Sequence, residues 1–300
     1  MKILLFGKNG QVGWELQRSL APLGELIALN RDSSELCGDL TRLEKIAQTI
    51  QRVAPDVIVN AAAYTAVDKA ENEPDLAHII NALAPGVLAK EAKRNNAWLV
   101  HYSTDYVFDG SGSSPRIETD LCAPLNVYGR TKREGEQLIA ASGCHHLIFR
   151  TSWIYSTYGN NFIKTMLRLG KARDSLSIVD DQIGAPTSAD LIADITAHTV
   201  RTALQRPTVS GLYHLVASEY TSWYHFARLI FDCAQQASLP LKLQPDALLP
   251  IASSDFPLPA ERPLNSRLDT HKLESTFNLK LPHWKTGVTR VFNELDKNKY

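Results

Sequence analysis

The sequence predicts an α/β fold built on a doubly wound parallel sheet, and three observations support this prediction. Short, continuously apolar runs rich in branched residues alternate with amphipathic helical patterns over residues 1–150. Runs that are apolar on both faces are typical of strands covered by helices on either side. A glycine-rich turn directly follows the first run. Together these features predict a Rossmann fold in the first half of the chain.

The predicted elements of this half alternate in chain order. The second helix shows the pattern well, because Leu43, Ile46 and Ile50 share one face and the helix stops before Pro55. In order, the elements are strand 2–6, helix 11–23, strand 25–30, helix 40–54, strand 56–62, a mostly helical stretch 66–95, strand 98–104, helix 127–142 and strand 146–152.

The pattern loosens after residue 150, and prolines recur between residues 240 and 263. Such a segment is typical of loops over a binding site. We therefore assign residues 1–150 to a dinucleotide-binding Rossmann domain. Residues 151–300 are expected to form mainly a smaller substrate-binding subdomain, with some segments returning to the Rossmann core. The helix opened by Trp223, Tyr224 and Phe226 is expected to pack against the sheet.

Composition excludes several classes of protein. Lys plus Arg and Asp plus Glu are both 32 in 300 residues, so the basic excess of a nucleic-acid-binding protein is missing. The four cysteines are dispersed, which fits a reducing compartment better than a disulfide framework. The N-terminal apolar run stops at Gly7, and no stretch of the sequence has the length of a membrane span. We expect a cytoplasmic protein without a membrane or nucleic-acid partner.

The glycine-rich turn carries Gly7, Gly10 and Gly13 between a predicted strand and a predicted helix. The first glycine permits the tight turn, the second lets the backbone approach a pyrophosphate, and the third lets the helix pack closely on the strand. The free N–H groups of the helix N-terminus then face the anion. Glycines also occur in ordinary turns, but this context favours a dinucleotide-binding loop.

The second strand ends at Asn30 and Arg31, where the residue that contacts the adenosine ribose is expected. Asn30 carries no charge to repel a 2′-phosphate, and Arg31 could pair with one. We expect NADPH to be accepted and preferred, with NADH possible. The alternative is that Arg31 is a solvated loop residue.

Tyr128 and Lys132 lie four residues apart in a predicted helix, so their side chains share a face. Ser103 and Thr104 close the fourth strand, at the end where α/β proteins bind ligands. An ammonium group lowers the pKa of a neighbouring phenol, and a hydroxyl can donate to a developing alkoxide. This set of residues suits the reduction of a ketone. The alternative is that Tyr128 and Lys132 are surface residues of a helix without a catalytic role.

Taken together, the segments LLFGKNGQVGWEL, VIVNAAAYTAVDKAE, HYSTDYVFDG, PLNVYGRTKREGE, FRTSWIY, NNFIKTMLRL, DQIGAPT and RPLNSRLD resemble the dTDP-4-dehydrorhamnose reductase family of the extended short-chain dehydrogenase/reductase superfamily. The resemblance implies NAD(P)H-dependent reduction of the 4-keto group of dTDP-4-dehydro-L-rhamnose to dTDP-L-rhamnose, for cell-surface polysaccharide such as O-antigen. The alternatives are a dinucleotide-binding regulatory subunit without catalysis, or a reductase or epimerase of another nucleotide sugar.

The resemblance also assigns roles to residues. Thr104, Tyr128 and Lys132 would form the catalytic set. Substrate contacts would come from Thr104, Asp105, Trp153 and Arg262. The cofactor would be bound by Gly7, Gly10, Gln11, Val12, Gly13, Asn30, Arg31, Asp39, Leu40, Ala62, Ala63, Tyr64, Thr65, Tyr128 and Lys132.

Some relatives are homodimers that share a divalent cation, so a homodimer with Mg²⁺ at its interface is possible. Glu15 would be one ligand, with Asp190 and Glu294 as further candidates. The alternative is that these are solvated surface carboxylates. Among the histidines, His101 is expected to be structural, because it alternates with the core side of its strand.

Overall fold

A parallel sheet of six strands forms the centre of the computed structural model, which describes residues 1–295. The strands are β1 (Lys2–Phe6), β2 (Glu25–Leu29), β3 (Val57–Asn60), β4 (Trp98–Thr104), β5 (His145–Thr151), β6 (Ile154–Tyr155), β7 (Leu176–Val179), β8 (Ile183–Gly184), β9 (Thr187–Ser188), β10 (Gly211–His214), β11 (Thr221–Ser222) and β12 (Leu248–Ile251). The central sheet has the order β2-β1-β3-β4-β5-β10, and three two-stranded pairs, β6–β9, β7–β12 and β8–β11, lie apart from it.

Helices cover both faces of the sheet. They are α1 (Gln11–Leu20), α2 (Leu43–Val53), α3 (Val67–Ala70), α4 (Pro74–His78), α5 (Ala84–Arg94), α6 (Val127–Ser142), α7 (Phe162–Ala172), α8 (Ala189–Gln205), α9 (Trp223–Gln236), α10 (His271–Phe277) and α11 (Trp284–Glu294). A π-helical turn, Ile79–Leu83, joins α4 to α5.

The side chains of β1 show how the two faces are filled. Ile3 and Leu5 pack into one apolar cluster with α1, α8 and α10. Leu4 and Phe6 pack into the opposite cluster with α2 and α5. Because successive side chains of a strand point to opposite faces, a strand covered on both sides must be apolar throughout. The predicted α/β fold with a doubly wound parallel sheet is confirmed.

The strand order of the sheet reverses at β1, and this reversal determines where the site lies. β1 pairs with β2 on one side and with β3 on the other, both in parallel. The carboxyl ends of β1 and β3 therefore diverge into loops on opposite sides of the sheet. A crevice opens where the strand order reverses in this way, and it is the usual binding position in such folds.

A third apolar cluster lies outside the central sheet, among α7, α9, α11, β7 and β12. Phe226 of α9 is fully buried in it, and Trp223 packs against it. The expectation that this helix packs against the sheet is therefore wrong, because its apolar face meets α7 and α11 instead. β10, by contrast, joins the central sheet beside β5.

Most boundaries agree with the sequence pattern. Strand 98–104 and helix 127–142 have the predicted ends. The first helix is shorter than predicted, since α1 ends at Leu20 and continues as a 3₁₀ turn. None of the helices in residues 1–295 combines the length and the apolar character that a membrane span requires.

Candidate active site

A cavity of about 930 Å³ opens at the carboxyl ends of the central strands. It brings together most of the residues singled out in the sequence. Those that line it are Gly7, Gly10, Gln11, Val12, Asn30, Arg31, Asp39, Leu40, Ala62, Ala63, Tyr64, Thr65, Ser103, Thr104, Asp105, Tyr128, Lys132 and Trp153. Gly13, Glu15 and Arg262 are not among the residues lining the cavity.

Two positions of the glycine loop, Gly7 and Gly13, lie too close to neighbouring backbone for any side chain. Gly7 has a φ of +89°, and a Cβ there would lie 2.6 Å from the Ala62 nitrogen. A Cβ on Gly13 would lie 2.0 Å from the Gly7 carbonyl oxygen, so α1 packs directly on the turn. Gly10 precedes α1 and offers no side-chain cap to its first N–H groups. These groups therefore remain available for an anion, and the loop fits a dinucleotide.

The end of the cavity beside β2 is rich in polar groups. The Ser33 hydroxyl donates to Asn30 Oδ1 at 2.8 Å, which orients the Asn30 amide. Arg31 Nε and Arg42 Nε lie 3.8 and 3.6 Å from Asp39 Oδ2. The Arg31 side chain is 78% exposed, so it is free to swing toward a bound anion. Arg42 adds a second cation that the sequence analysis did not identify.

Asn81 holds the backbone at the β3 end of the cavity. Its Oδ1 accepts from Tyr64 N at 2.9 Å, and its Nδ2 donates to Tyr64 O at 3.1 Å. The same Nδ2 lies 3.2 Å from Thr131 Oγ1 of α6. Asn81 lies in the π-helical turn, a feature that frequently marks functional sites. Sequence reasoning missed it, although a single buried amide within the apolar run IINAL was a visible signal.

Thr104 and Tyr128 meet where β4 ends and α6 begins. The Thr104 hydroxyl donates to Asp105 Oδ1 at 3.0 Å and accepts from Tyr106 N at 3.2 Å. Burial raises the pKa of Tyr128 to about 12, against a smaller opposing effect of its hydrogen bond with Thr104. The Tyr106 ring contacts Tyr128 edge-on, with ring centroids 5.7 Å apart. Tyr128 is therefore a protonated phenol at neutral pH.

The expected lowering of the Tyr128 pKa by Lys132 is wrong for this structure. Lys132 is 1% exposed, and its Nζ lies 3.1 Å from His101 Nε2 and donates to the Tyr102 carbonyl. The ammonium group is thus engaged with β4 rather than with the phenol. Burial lowers the pKa of Lys132 to about 8, and Glu136 opposes this shift. His101, expected to be structural, directly contacts a candidate catalytic residue.

Asp105 and Trp153 approach the cavity from β4 and from the segment after β5. Asp105 is 3% exposed, and burial raises its pKa to about 6. Its Oδ2 has no hydrogen-bond partner among residues 1–295, so it is available to a ligand. Trp153 has a φ of +49°, and its ring stacks on Trp223 with centroids 3.7 Å apart. Trp223 also lines the cavity, which the sequence analysis did not anticipate.

Arg262 and Glu15 lie outside the cavity. Arg262 Nη2 pairs with Asp68 Oδ2 at 2.7 Å. Glu15 lies near Asp190 and Glu294, which contribute to raising its pKa after the larger effect of burial. Arg290 pairs with both of these other carboxylates, at 3.2 Å from Asp190 and 2.9 Å from Glu294. Within the described part of the chain, no group of three or more His, Cys, Asp or Glu residues could hold a metal ion.

Comparisons with known proteins agree with this geometry. The family model described as the RmlD substrate binding domain matches residues 1–297. A dTDP-4-dehydrorhamnose reductase from Escherichia coli K12 is 56% identical over 295 residues, covering 98% of both chains. The crystal structure of a dTDP-4-dehydrorhamnose reductase from Bacillus anthracis in complex with NADP is 36% identical, covers 98% of this chain and 99% of its own, and has a TM-score of 0.87. The crystal structure of a dTDP-glucose 4,6-dehydratase from Streptomyces venezuelae is 18% identical, covers 98% of this chain and 96% of its own, and has a TM-score of 0.80. This similarity shows a shared fold and nothing further.

Proposed function

Because this chain belongs to the family of the RmlD substrate binding domain, we propose that it reduces the 4-keto group of dTDP-4-dehydro-L-rhamnose to give dTDP-L-rhamnose, with NADPH as the reductant. The observation that carries the proposal is that Thr104, Tyr128 and Lys132 line the same cavity as the glycine loop. A phenol, a hydroxyl and an amine beside a dinucleotide loop are the groups that ketone reduction requires.

The chain's own residues would hold the cofactor along the ends of β1, β2 and β3. Gly7, Gly10 and the first turn of α1 would bind the phosphates, because the N–H groups at the start of α1 have no side-chain cap. Arg31 is placed to pair with a 2′-phosphate, which supports NADPH as the preferred form and leaves NADH possible. When bound, the reduced nicotinamide supplies the hydride.

Tyr128 would supply the proton that the substrate's carbonyl oxygen gains. Its raised pKa of about 12 keeps that proton in place until the oxygen becomes strongly basic. Thr104, which is buried, would donate a hydrogen bond to the same oxygen as negative charge develops there. Asp105 and Trp153 would contact the sugar, since both line the cavity and Asp105 Oδ2 is an unused acceptor. Arg262 would act on the substrate side through its loop, held to α3 by Asp68.

The test is NADPH consumption with dTDP-4-dehydro-L-rhamnose, measured by absorbance for the wild type and for Tyr128→Phe. Removing the proton donor should lower kcat by about 10²–10⁴-fold, with a much smaller effect on the affinity for NADPH. Tyr220→Phe is the matched control, because Tyr220 donates to the Leu268 carbonyl at 3.2 Å, away from the cavity. Unchanged turnover in Tyr128→Phe would contradict the assignment. A wild type that binds NADPH without consuming it would indicate the regulatory-subunit alternative.

A homodimer, a cation shared through Glu15 and a cytoplasmic location remain predictions. Sedimentation velocity would determine the oligomeric state. Metal analysis of the purified protein, with Glu15→Gln as the comparison, would test for Mg²⁺. The division of the chain into a dinucleotide-binding half and a substrate-binding half is likewise a proposal, tested by the separate effects of Gly10 and Trp153 substitutions on NADPH and sugar-nucleotide binding.

A further inference from the structure

The loop between β6 and α7, residues 156–161, lies against the start of α1, where the phosphates of the cofactor are proposed to bind. The Tyr158 ring stacks on the Trp14 ring of α1, with centroids 4.3 Å apart and ring planes 4° apart. Gly159 has a φ of +74°, and a Cβ there would lie 3.3 Å from Gln11 Cγ. A loop from the second half of the chain therefore contacts the helix that begins the glycine loop's phosphate site.

Backbone groups fix the orientation of one amide in this loop, that of Asn161. Asn161 Oδ1 accepts from Lys164 N at 3.2 Å and so caps the first turn of α7. Its Nδ2 donates to the Ser156 carbonyl at 2.6 Å. A backbone N–H can only donate and a backbone carbonyl can only accept, so the oxygen and the nitrogen of this amide cannot be exchanged. Asn161 therefore presents an N–H, and not an oxygen, to its remaining neighbour.

That neighbour is Gln11, and the fixed orientation is passed on to it. Asn161 Nδ2 donates to Gln11 Oε1 at 3.0 Å. The oxygen of the Gln11 amide is thereby engaged, and its Nε2 has no hydrogen-bond partner among residues 1–295. Gln11 is the first residue of α1 and lines the cavity beside Gly10. An N–H donor at this position adds to the uncapped N–H groups of the helix and suits an anion.

We propose that Asn161 is a positioning residue that holds the Gln11 amide so that its Nε2 donates to the diphosphate of the bound dinucleotide. This inference rests on the proposed function for the identity of the dinucleotide, NADPH. Without Asn161 the Gln11 amide is free to turn over and present its oxygen to the anion, which opposes binding. The substrate of the proposed reaction also carries a diphosphate. The place of Gln11 directly after Gly10, at the start of α1, favours the dinucleotide as the source.

The experiment measures binding by calorimetry, without the sugar-nucleotide substrate, to Gln11→Ala, Asn161→Ser and the double variant. Serine at position 161 keeps an oxygen to cap α7 and lacks the amide N–H that orients Gln11. Gln11→Ala should weaken NADPH binding about tenfold, the loss of one hydrogen bond to a charged group, and Asn161→Ser about fivefold. The double variant should match Gln11→Ala within about twofold, because Asn161 acts only through Gln11.

Two further ligands separate a lost contact to the diphosphate from other effects. Adenosine 2′-monophosphate lacks the diphosphate, and dTDP represents the sugar nucleotide. Both should bind to every variant as tightly as to the wild type. Gln51→Ala is the matched control, because the exposed Gln51 amide donates to Glu91 Oε2 at 3.0 Å and does not line the cavity. Its affinity for NADPH should equal that of the wild type.

Three results would overturn the proposal. In the first, the affinity of Asn161→Ser for NADPH is unchanged, or the two losses multiply in the double variant. In the second, adenosine 2′-monophosphate is weakened as much as NADPH, which indicates a general change of the site. In the third, dTDP is weakened and NADPH is not, which assigns the Gln11 amide to the sugar nucleotide. A wild type that binds NADPH and shows the expected pattern, but does not consume NADPH, contradicts the proposed reduction alone.

Discussion

Replacing Glu136 by glutamine should cost about 3–5 kcal/mol of the free energy of unfolding, because it leaves a buried cation without its partner. Glu136 and Arg150 are each 1% exposed. Arg150 Nε and Nη2 donate to the two carboxylate oxygens at 2.8 and 2.7 Å, and Arg133 adds a third bond at 2.8 Å. Arg150 Nη1 is buried without a partner among residues 1–295, and the further acceptor of the guanidinium is the weak one of Cys122 Sγ, 3.3 Å from Nη2. The expected loss is a large part of the roughly 5–15 kcal/mol typical of a folded domain.

Urea unfolding followed by far-UV circular dichroism measures this loss. Glu134→Gln is the control on the same helix, since Glu134 is 45% exposed in its pair with His78 and should matter by less than about 1 kcal/mol. Glu136→Leu combined with Arg150→Met should recover much of the stability, because both charges are then removed together. A loss in Glu136→Gln below about 1 kcal/mol would refute the reasoning.

The effect should also depend on pH in a defined direction. Against the opposing effect of burial, the Arg150 guanidinium is the main group that holds the pKa of the Glu136 carboxyl below its usual value of 4.5. A folded-state pKa below the unfolded value contributes stability above the unfolded pKa, and this contribution is lost as the pH falls through the folded pKa. The difference between wild type and Glu136→Gln should therefore be largest near neutral pH and shrink below about pH 4.

Two further predictions concern the cavity. Gly13→Ala would place a Cβ 2.0 Å from the Gly7 carbonyl oxygen, so the affinity for NADPH, measured by fluorescence, should fall at least about tenfold. Gly211→Ala is the control, because its Cβ would meet nothing nearer than 3.9 Å and the variant should bind NADPH normally. Asp105→Asn should raise the melting temperature at pH 8 and not at pH 4, because the pKa of Asp105 rises on folding from 3.8 to about 6 and the wild type loses stability between those values. Equal melting temperatures at pH 8 would contradict the second prediction.

The fold could be predicted from the sequence because local patterns and tertiary packing agree in the first half of the chain. β1 is apolar at every position, and it is buried against helices on both faces. Helix α6 has the predicted ends because Asn126 caps its first turn and Gly143 adopts a left-handed conformation at its end. In the second half, the partner of α9 could not be predicted. Its apolar face specifies burial but not which element buries it.

The difference between local patterns and tertiary contacts also explains which site residues could be predicted. Tyr128 and Lys132 are four apart on one helix, so local geometry alone places them together. Trp223 lines the cavity beside Trp153, on which it stacks although the two residues are 70 positions apart along the chain. The protonation states of Tyr128 and Lys132 were the hardest property to predict from the sequence. The expected lowering of the Tyr128 pKa was based on the charge of Lys132 alone. Burial desolvates both groups, and this has the larger effect on both pKa values.

The charge on Lys132 results from opposing contributions on its two sides. Burial favours the neutral amine, while Glu136 and the Tyr102 carbonyl favour the ammonium group. Removing the carboxylate in Glu136→Gln should therefore lower the pKa of Lys132 and move the alkaline limb of kcat to lower pH. Glu134→Gln is the control on the exposed side of the same helix, and its alkaline limb should stay in place. An unchanged limb in Glu136→Gln would show that Glu136 does not set the charge on Lys132.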